Sequence, residues 1–268
     1  MSYETIGASP VEWAGHTAPE VIERAERDGS VLIVPVGSLE QHGDHLPTVT
    51  DTLLVSAVAQ EGAERAHEQD VPVLVTPTVW TGQSRHHLPF GGTASLDVET
   101  LLDVLGGIAE TTLQNGFDAL VFVNGHGGNV ALIQNAVQEI GFAAEDAEIS
   151  GLTYFHLAGD FIDEIRESDL GGIAHGGEFE TSLMLYLRPD LVDEERIAGT
   201  THSKTYKGES KDLFDSGYHS VHQPFDVYTE TGAVGQPDLA TESKGEELFD
   251  RLGDAFRELL TDVHGNTR

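Results

Sequence analysis

Residues 31–51 read VLIVPVGSLEQHGDHLPTVTD and combine a short apolar run with a polar segment. Its first six residues, VLIVPV, are apolar and mostly β-branched, and a Gly-Ser pair flanks them on each side. An apolar run this short is typical of a buried strand in a parallel sheet. The segment after it carries acidic and imidazole side chains, namely Glu40, His42, Asp44, His45 and Asp51. Ligands bind at the C-terminal ends of strands in open α/β sheets, so we predict a site here.

The donor atoms in this segment suit a divalent metal. Glu40 and Asp51 offer carboxylate oxygens, and His42 offers an imidazole nitrogen. These are the usual ligands of zinc and of the harder transition metals. Polar loops are also rich in Asp and His without binding any ligand, so this segment alone leaves both interpretations open.

The length and net charge of the chain limit its number of domains and its classes of partner. The chain has 268 residues, of which 39% are hydrophobic, so we predict one domain over residues 1–268. Acidic residues number 46 against 14 basic ones, for a formal net charge of −32. Halophiles use such a dispersed negative surface, which predicts a protein from a salt-accumulating organism. The same charge argues against nucleic acids and anionic membranes as partners.

The sequence contains no cysteine. This excludes disulfides, zinc–thiolate sites and a cysteine nucleophile, and leaves any metal to imidazole and carboxylate ligands. We see neither a basic segment followed by an apolar core at the N-terminus nor an apolar run long enough to span a bilayer. We therefore expect a cytoplasmic protein with no signal peptide and no membrane span.

Helical and strand patterns alternate along the first part of the chain. This order predicts an α/β protein, a single-domain three-layer fold whose mainly parallel central sheet is flanked by helices. The region 199–240 is rich in loops. The predicted strands are 31–36, 71–79, 118–124 and 149–155, and the predicted helices are 19–28, 51–68, 97–114, 130–142, 178–187 and 242–263.

A second polar cluster follows the strand 118–124 and reads NGHGGN over residues 124–129. Its glycines allow a sharp turn and keep His126 approachable. A phosphate-binding loop is one alternative, but the spacing fits neither known glycine fingerprint and the segment lacks lysine. A structural histidine is the other alternative. The position after a neighbouring strand favours a ligand.

A third cluster, AHGGEFETS, spans residues 174–182 and leads into a helix. Residues two apart do not share a helical face, so at most one of Glu178 and Glu180 faces a common site. Glutamates in a first turn can instead complement the helix dipole, and His175 can serve as a cap or face solvent.

In this order, the clusters resemble the creatininase (creatinine amidohydrolase) family. The resemblance covers about residues 8–190 and implies an α/β fold with a two-metal site. We expect the chain to lie closer to the archaeal formamide hydrolases than to creatininase proper. The matching residues are Gly37 to Gly43, His45 to Pro47, Thr50-Asp51, Gly82 to Ser84 with His87, Phe90 to Thr93, Asn124 to Asn129 and His175 to Ser182.

The resemblance implies a role for each matching residue. Glu40 and His42 are similar to ligands of different metals, Asp51 to the bridging carboxylate and His126 to a ligand beside Glu40. Creatininase proper has a glutamate where this chain has Gly128. We expect Glu180 to replace that ligand, with Glu178 as the alternative. The implied cofactors are two divalent ions per chain, Zn, Mn or Fe.

The remaining roles concern proton transfer and the substrate. His175 resembles the family's proton-transfer histidine, and we expect substrate-binding residues at Ser84, His87, Gly127 and Glu178. The implied partner is a small-molecule amide or formamide, in a homo-oligomer that is often a hexamer in this family. A substrate phosphate would need cations, for which Arg85 and Lys204 to Lys211 are candidates.

The resemblance implies a metal-dependent amidohydrolase acting on non-peptide C–N bonds. Our leading interpretation is a deformylase of riboflavin or F420 biosynthesis. Creatinine is a weaker alternative because Trp13 and Trp80 are the only tryptophans, and creatininase proper sandwiches its substrate between tryptophans. The family also resembles a peptidase of mycofactocin maturation. A non-catalytic protein that binds metal or sugar phosphate is the alternative from another class.

Overall fold

A computed structural model describes residues 7–200, 206–215 and 217–267. A four-stranded sheet forms its centre, in the order β2-β1-β3-β4 with all neighbours parallel. Its strands are β1 (Val31–Val36), β2 (Val73–Val75), β3 (Ala119–Asn124) and β4 (Glu148–Thr153). A separate antiparallel pair joins β5 (Ile173–His175) to β6 (Val234–Gly235).

Helices cover both faces of the sheet. They are α1 (Ala18–Ala25), α2 (Thr50–His67), α3 (Val98–Leu113), α4 (Val130–Ala143), α5 (Ile162–Ile165), α6 (Glu178–Leu187) and α7 (Glu242–Asn266). Successive residues of a strand point to opposite faces. Val31 and Ile33 accordingly pack in the core under α2 and α7, whereas Leu32 and Val34 pack in the core under α1, α3 and α4. The predicted three-layer α/β fold is confirmed.

The second strand is shorter than predicted. The sequence suggested residues 71–79, but β2 covers only Val73–Val75. Pro72 and Pro77 lack the N–H that a sheet ladder needs, and they lie just outside the paired segment. Beyond Pro77 the chain rejoins the sheet through one isolated bridge between Val79 and Val36.

Three connections meet at one edge of the fold. The segment after β1 leads into α2, the segment after β3 leads into α4, and β5 leads into α6. Carboxyl ends of parallel strands share an edge of the sheet, and β5 adds its own end to this region. Among the described residues, no helix combines the length and apolarity needed to cross a membrane.

Candidate metal centre

Five of the predicted ligands converge in the interior of the protein. The segment after β1 carries Glu40 and His42, α2 carries Asp51 in its first turn, the segment after β3 carries His126, and α6 carries Glu180 in its first turn. All five are buried, with at most 6% of any residue exposed. Residues up to 140 positions apart in sequence thus form one cluster.

Asp51 lies between two imidazoles. Its Oδ1 is 2.9 Å from His42 Nε2, and its Oδ2 is 3.0 Å from His126 Nδ1. Glu40 Oε1 approaches the same His126 nitrogen at 3.1 Å. Glu180 Oε1 lies 3.8 Å from His42 Nε2. The cluster therefore divides into two halves that share the Asp51 carboxylate.

The cluster has the donor chemistry of a cation site. Glu40 Oε1 and Asp51 Oδ2 are buried side-chain oxygens without a hydrogen-bond partner. An unsatisfied buried carboxylate oxygen is costly, and a cation would satisfy it. Glu40, His42 and Asp51 also place their ligand atoms within 4.8 Å of one another, as do His42, His175 and Glu180. The residues fit divalent metals.

The pKa shifts of the ligand residues also indicate that the cluster favours positive charge. Burial alone would disfavour the imidazolium, but Glu40 and Asp51 outweigh it and raise the pKa of His126 to about 10. Asp51 and Glu180 likewise outweigh burial and raise the pKa of His42 well above its usual value. Burial opposes ionisation of Asp51, yet the charge of His42 lowers the pKa of this carboxyl. Both shifts favour positive charge on the two imidazoles, which is the charge that a bound cation would supply.

Hydrogen bonds behind the cluster orient the ligands. His42 Nδ1 lies 3.1 Å from the Glu40 carbonyl oxygen, which leaves Nε2 facing Asp51. His126 Nε2 lies 3.2 Å from Ser84 Oγ, and Ser84 contacts Ser38, whose hydroxyl donates to Glu40 Oε2 at 2.9 Å. This buried chain leaves His126 Nδ1 and Glu40 Oε1 facing each other. Such supporting contacts fix tautomer and ring orientation in metal sites.

A pocket of about 260 Å³ opens onto the cluster. Glu40, Asp51, His126 and Glu180 form its floor, and its walls include His87, Gly127, His175, Lys211, Phe225 and Tyr228. The Phe225 ring lies 4.3 Å from the His87 ring and 4.9 Å from the His175 ring, measured between centroids. A larger cavity, of about 1040 Å³, lies between α3 and α4 and contains none of the predicted site residues.

His175 borders both the pocket and the cluster. Its Nε2 lies 2.7 Å from the Gln41 carbonyl oxygen, and its Nδ1 lies 3.8 Å from Glu40 Oε1. Burial and the neighbouring His42 charge lower the pKa of His175 well below its usual value. The imidazole is therefore neutral at physiological pH, with Nδ1 as an acceptor towards the pocket.

The other predicted residues lie in different surroundings. His87 and Gly127 line the pocket, whereas Ser84 is buried behind His126. The carboxylate of Glu178 does not line the pocket; it accepts hydrogen bonds from the backbone N–H groups of residues 167 and 168 and from Lys244 Nζ at 2.6 Å.

The two remaining polar residues of the first segment and the candidate phosphate-binding cations do not form one group. Asp44 is exposed, and His45 bonds to Thr181. Arg85 pairs with Asp97 at 3.7 Å, Lys211 lines the pocket, and Lys204 lies outside the described residues.

Sequence reasoning missed two residues of this site. Gln41 contacts both His87 and His175, and Phe225 packs on both rings. Gln41 stands between Glu40 and His42, so its position in the motif was a usable signal. Phe225 lies in the loop-rich region, where no period or motif marks it.

Gly128 occupies a place with no room for a side chain. A Cβ there would overlap with His126 Nε2 and lie 2.7 Å from the Gln83 carbonyl oxygen. A larger residue at this position would have to displace His126. Glu180 reaches the His42 half of the cluster from α6 instead.

A family profile described as creatinine amidohydrolase matches residues 14–260. The chain belongs to the creatininase family. A mycofactocin precursor peptide peptidase of Mycobacterium tuberculosis is 34% identical over 235 residues, covering 83% of this chain and 81% of the relative. A creatinine amidohydrolase of Pseudomonas putida is 36% identical over 197 residues, covering 68% and 73%.

Solved structures of the family share the fold. One described as the Mn form of creatininase has a TM-score of 0.79 and 30% identity, covering 95% of this chain and 98% of the other. A mutant creatininase described as the Zn-Zn type gives the same TM-score, identity and coverage. Together with the cluster, these neighbours identify a creatininase-family hydrolase whose buried residues can hold metal.

Proposed function

We propose that this protein is a metal-dependent amidohydrolase that cleaves a non-peptide C–N bond of a small molecule, with two divalent ions per chain. The observation that carries the proposal is the sharing of Asp51 between two halves of a buried cluster, in which two carboxylate oxygens lack hydrogen-bond partners. Such an arrangement is costly without cations and suited to a pair of them.

Each half of the cluster would hold one ion. Glu40, His126 and Asp51 would hold the first, and His42, Glu180 and Asp51 the second. Zn, Mn and Fe all accept imidazole and carboxylate ligands. When bound, the pair supplies a hydroxide nucleophile at neutral pH and polarises a carbonyl oxygen.

His175 would move the proton that hydrolysis requires. Its Nδ1 is a neutral acceptor beside the cluster, because Nε2 is bonded to the Gln41 carbonyl oxygen. A proton taken at Nδ1 during attack on the amide carbon can pass to the leaving nitrogen, which must be protonated to depart. The C–N bond breaks and a C–O bond forms, with one water consumed.

A formamide is the substrate class that we favour. The pocket of about 260 Å³ admits a small acyl group, and Phe225 provides an aromatic wall beside the two histidines. The tryptophans that would sandwich creatinine are missing, since Trp13 packs on Phe117 and Trp80 does not line the pocket. A deformylase of cofactor biosynthesis would fit this reading, and oligomerisation stays a prediction.

One observation favours a peptide substrate as the second candidate. The chain is 34% identical to a mycofactocin precursor peptide peptidase over 83% of its length. Lys211, at the pocket wall, could bind the carboxylate of a peptide end. A peptide amide would meet the same cluster and the same proton-transfer residue.

The decisive assay offers the metal-loaded full chain an aryl formamide, creatinine and a short peptide at high salt, and measures formate, creatine and free amino acids. We expect formate. Asp51→Asn should lower the rate by about 100-fold, since mutation of residues that only support metal ligands already costs about 10- to 100-fold. Asp44→Asn removes the same charge from the exposed side of the same segment and should retain the activity.

Hydrolysis of none of the three substrates would contradict the proposed function. Equal rates for Asp51→Asn and the wild type would contradict the role of the cluster. Release of amino acids without formate would replace the formamide with the second candidate.

A further inference from the structure

The Gln41 side chain occupies a junction between the two pocket histidines. Its Nε2 lies 2.7 Å from His87 Nδ1 and 3.0 Å from the Gly232 carbonyl oxygen. Its Oε1 accepts a hydrogen bond from the Gly43 backbone N–H at 3.0 Å. Gln41 itself is 7% exposed. These contacts connect the segment after β1 with the pocket wall and with the chain just before β6.

The backbone contacts fix which way the Gln41 amide points. An N–H group can only donate, so the Gly43 contact requires the oxygen of the amide at that position. A carbonyl oxygen can only accept, so the Gly232 contact requires the amide nitrogen. The two requirements agree and do not depend on any histidine.

The amide in turn fixes the tautomer of His87. One Nε2 hydrogen of Gln41 is directed to Gly232, which leaves the second hydrogen for His87 Nδ1. Nδ1 must then accept, and in a neutral imidazole the proton resides on the other nitrogen. His87 Nε2 therefore carries the hydrogen. It lies 3.2 Å from Glu40 Oε1, and the His87 ring lines the pocket that opens onto the cluster.

His175 also carries its hydrogen on Nε2, but in this ring it is Nδ1 that faces the cluster. Its Nε2–H donates to the Gln41 backbone carbonyl at 2.7 Å, so Nδ1 is the nitrogen without hydrogen. The two rings lie 4.4 Å apart between centroids. His87 thus turns a donor towards the cluster, and His175 turns an acceptor towards it.

Building on the proposed function, we propose that His87 donates its Nε2–H to the carbonyl oxygen of the substrate amide, and that Gln41 is the positioning residue that holds His87 in this state. The donor stabilises the negative charge that develops on this oxygen when the carbon is attacked. The proton that His175 accepts goes to the leaving nitrogen, so acid and amine are released and His87 ends unchanged. A preorganised donor of this kind contributes about 100- to 1000-fold to kcat.

Among the described residues, three groups have a geometry that could hold an ion, and this assignment removes one of them. That group consists of Glu40, His87 and His175. A nitrogen that donates its hydrogen to the substrate is not a metal ligand at the same time, so His87 Nε2 binds no ion in this assignment. The two remaining groups, Glu40 with His42 and Asp51, and His42 with His175 and Glu180, do not contain His87.

The test is a long-range ¹H–¹⁵N spectrum of histidine in the zinc-loaded full chain at neutral pH. The His87 and His175 signals are assigned by their loss in His87→Gln and His175→Gln. We expect both rings to carry hydrogen on Nε2. In Gln41→Met a second His87 tautomer should appear while His175 is unchanged, and the exposed Gln69→Met should match the wild type.

Kinetics supply an independent readout. Glutamine at position 87 keeps an N–H close to that of Nε2, whereas methionine has none. We expect His87→Met to lower kcat by about 100-fold or more, with little change in KM, and His87→Gln to recover part of the loss.

A His87 ring protonated on Nδ1, or bound to zinc through Nε2, would overturn the inference. Equal losses of kcat in the two His87 variants would overturn the donor role. These results are distinct from failure of the proposed function, because the spectrum reports the tautomer whether or not any amide is hydrolysed.

Discussion

The two oxygens of Asp51 face different imidazoles, and this single side chain explains most of the electrostatics of the centre. The Asp51 carboxylate lies beside both imidazoles and raises the pKa of each, so the protonated forms of His42 and His126 are both favoured. Metal binding must release these protons, because a coordinating imidazole is neutral. The protonation of the metal-free chain is therefore linked to cation affinity.

This linkage predicts a pH dependence. The pKa of His126 is raised to about 10, so its proton competes with the cation throughout the neutral range. Affinity should rise with pH, by up to about tenfold per unit for each proton released. In the metal-free chain, the stabilisation by protonated His126 is complete below its unfolded pKa of about 6.5 and is lost as pH rises through 10.

Calorimetric titration with zinc at pH 7, in two buffers of different ionisation enthalpy, measures this release. We expect about one proton or more per chain. His156→Gln is the control, because His156 lines a different cavity and should leave the release unchanged. Heats that do not depend on the buffer would contradict the protonated state of the cluster.

At the scale of elements, the turn after β3 sets the position of His126. Gly128→Ala should displace this ring, because the added Cβ meets His126 Nε2 and the Gln83 carbonyl oxygen. We expect bound metal to fall from two ions towards one per chain, measured by elemental analysis. Gly127→Ala is the matched control, since a Cβ there meets nothing within 4 Å. Equal metal contents in the two variants would contradict this account.

Two glutamates in the first turn of α6 have different roles. Glu178 forms a 2.6 Å ion pair with Lys244 of α7, and Glu180 faces His42. Glu178→Gln should lower the free energy of unfolding by about 2 kcal/mol and leave the metal content unchanged. Glu180→Gln should remove metal at a smaller cost in stability. Urea unfolding and elemental analysis on both variants test this, and the reverse pattern would refute it.

The central strands β1 and β3 were predictable from sequence, because each is a short apolar run followed by a glycine. The orientation of Glu178 was not. Its partner Lys244 lies 66 positions later, so no local pattern connects them. Phe225 was missed for the same reason, since its role depends on contacts with His87 and His175 from a distant segment. Gln41 lies within the motif, but its contacts with these two histidines arise only from the fold.

Charge acts on the whole molecule. A net charge of −32 destabilises the compact state through self-repulsion, and salt weakens that repulsion. The Debye length falls from about 10 Å at 0.1 M to about 3 Å at 1 M salt. We therefore expect the thermal unfolding midpoint to rise when KCl increases over this range.

The sequence pI of about 4.4 provides the control for this salt effect. Near that pH the net charge vanishes, so the same increase in KCl should raise the midpoint less than it does at pH 7. A midpoint at pH 7 that stays constant or falls with salt would show that self-repulsion does not limit stability.

Anomalous diffraction from crystals grown with Mn²⁺ shows whether three distant segments of the chain converge on a pair of cations. We predict two peaks in each chain, both adjoining Asp51, one beside Glu40 and His126 and the other beside His42 and Glu180. The absence of peaks at the cluster, or a single peak that does not touch Asp51, would contradict this convergence.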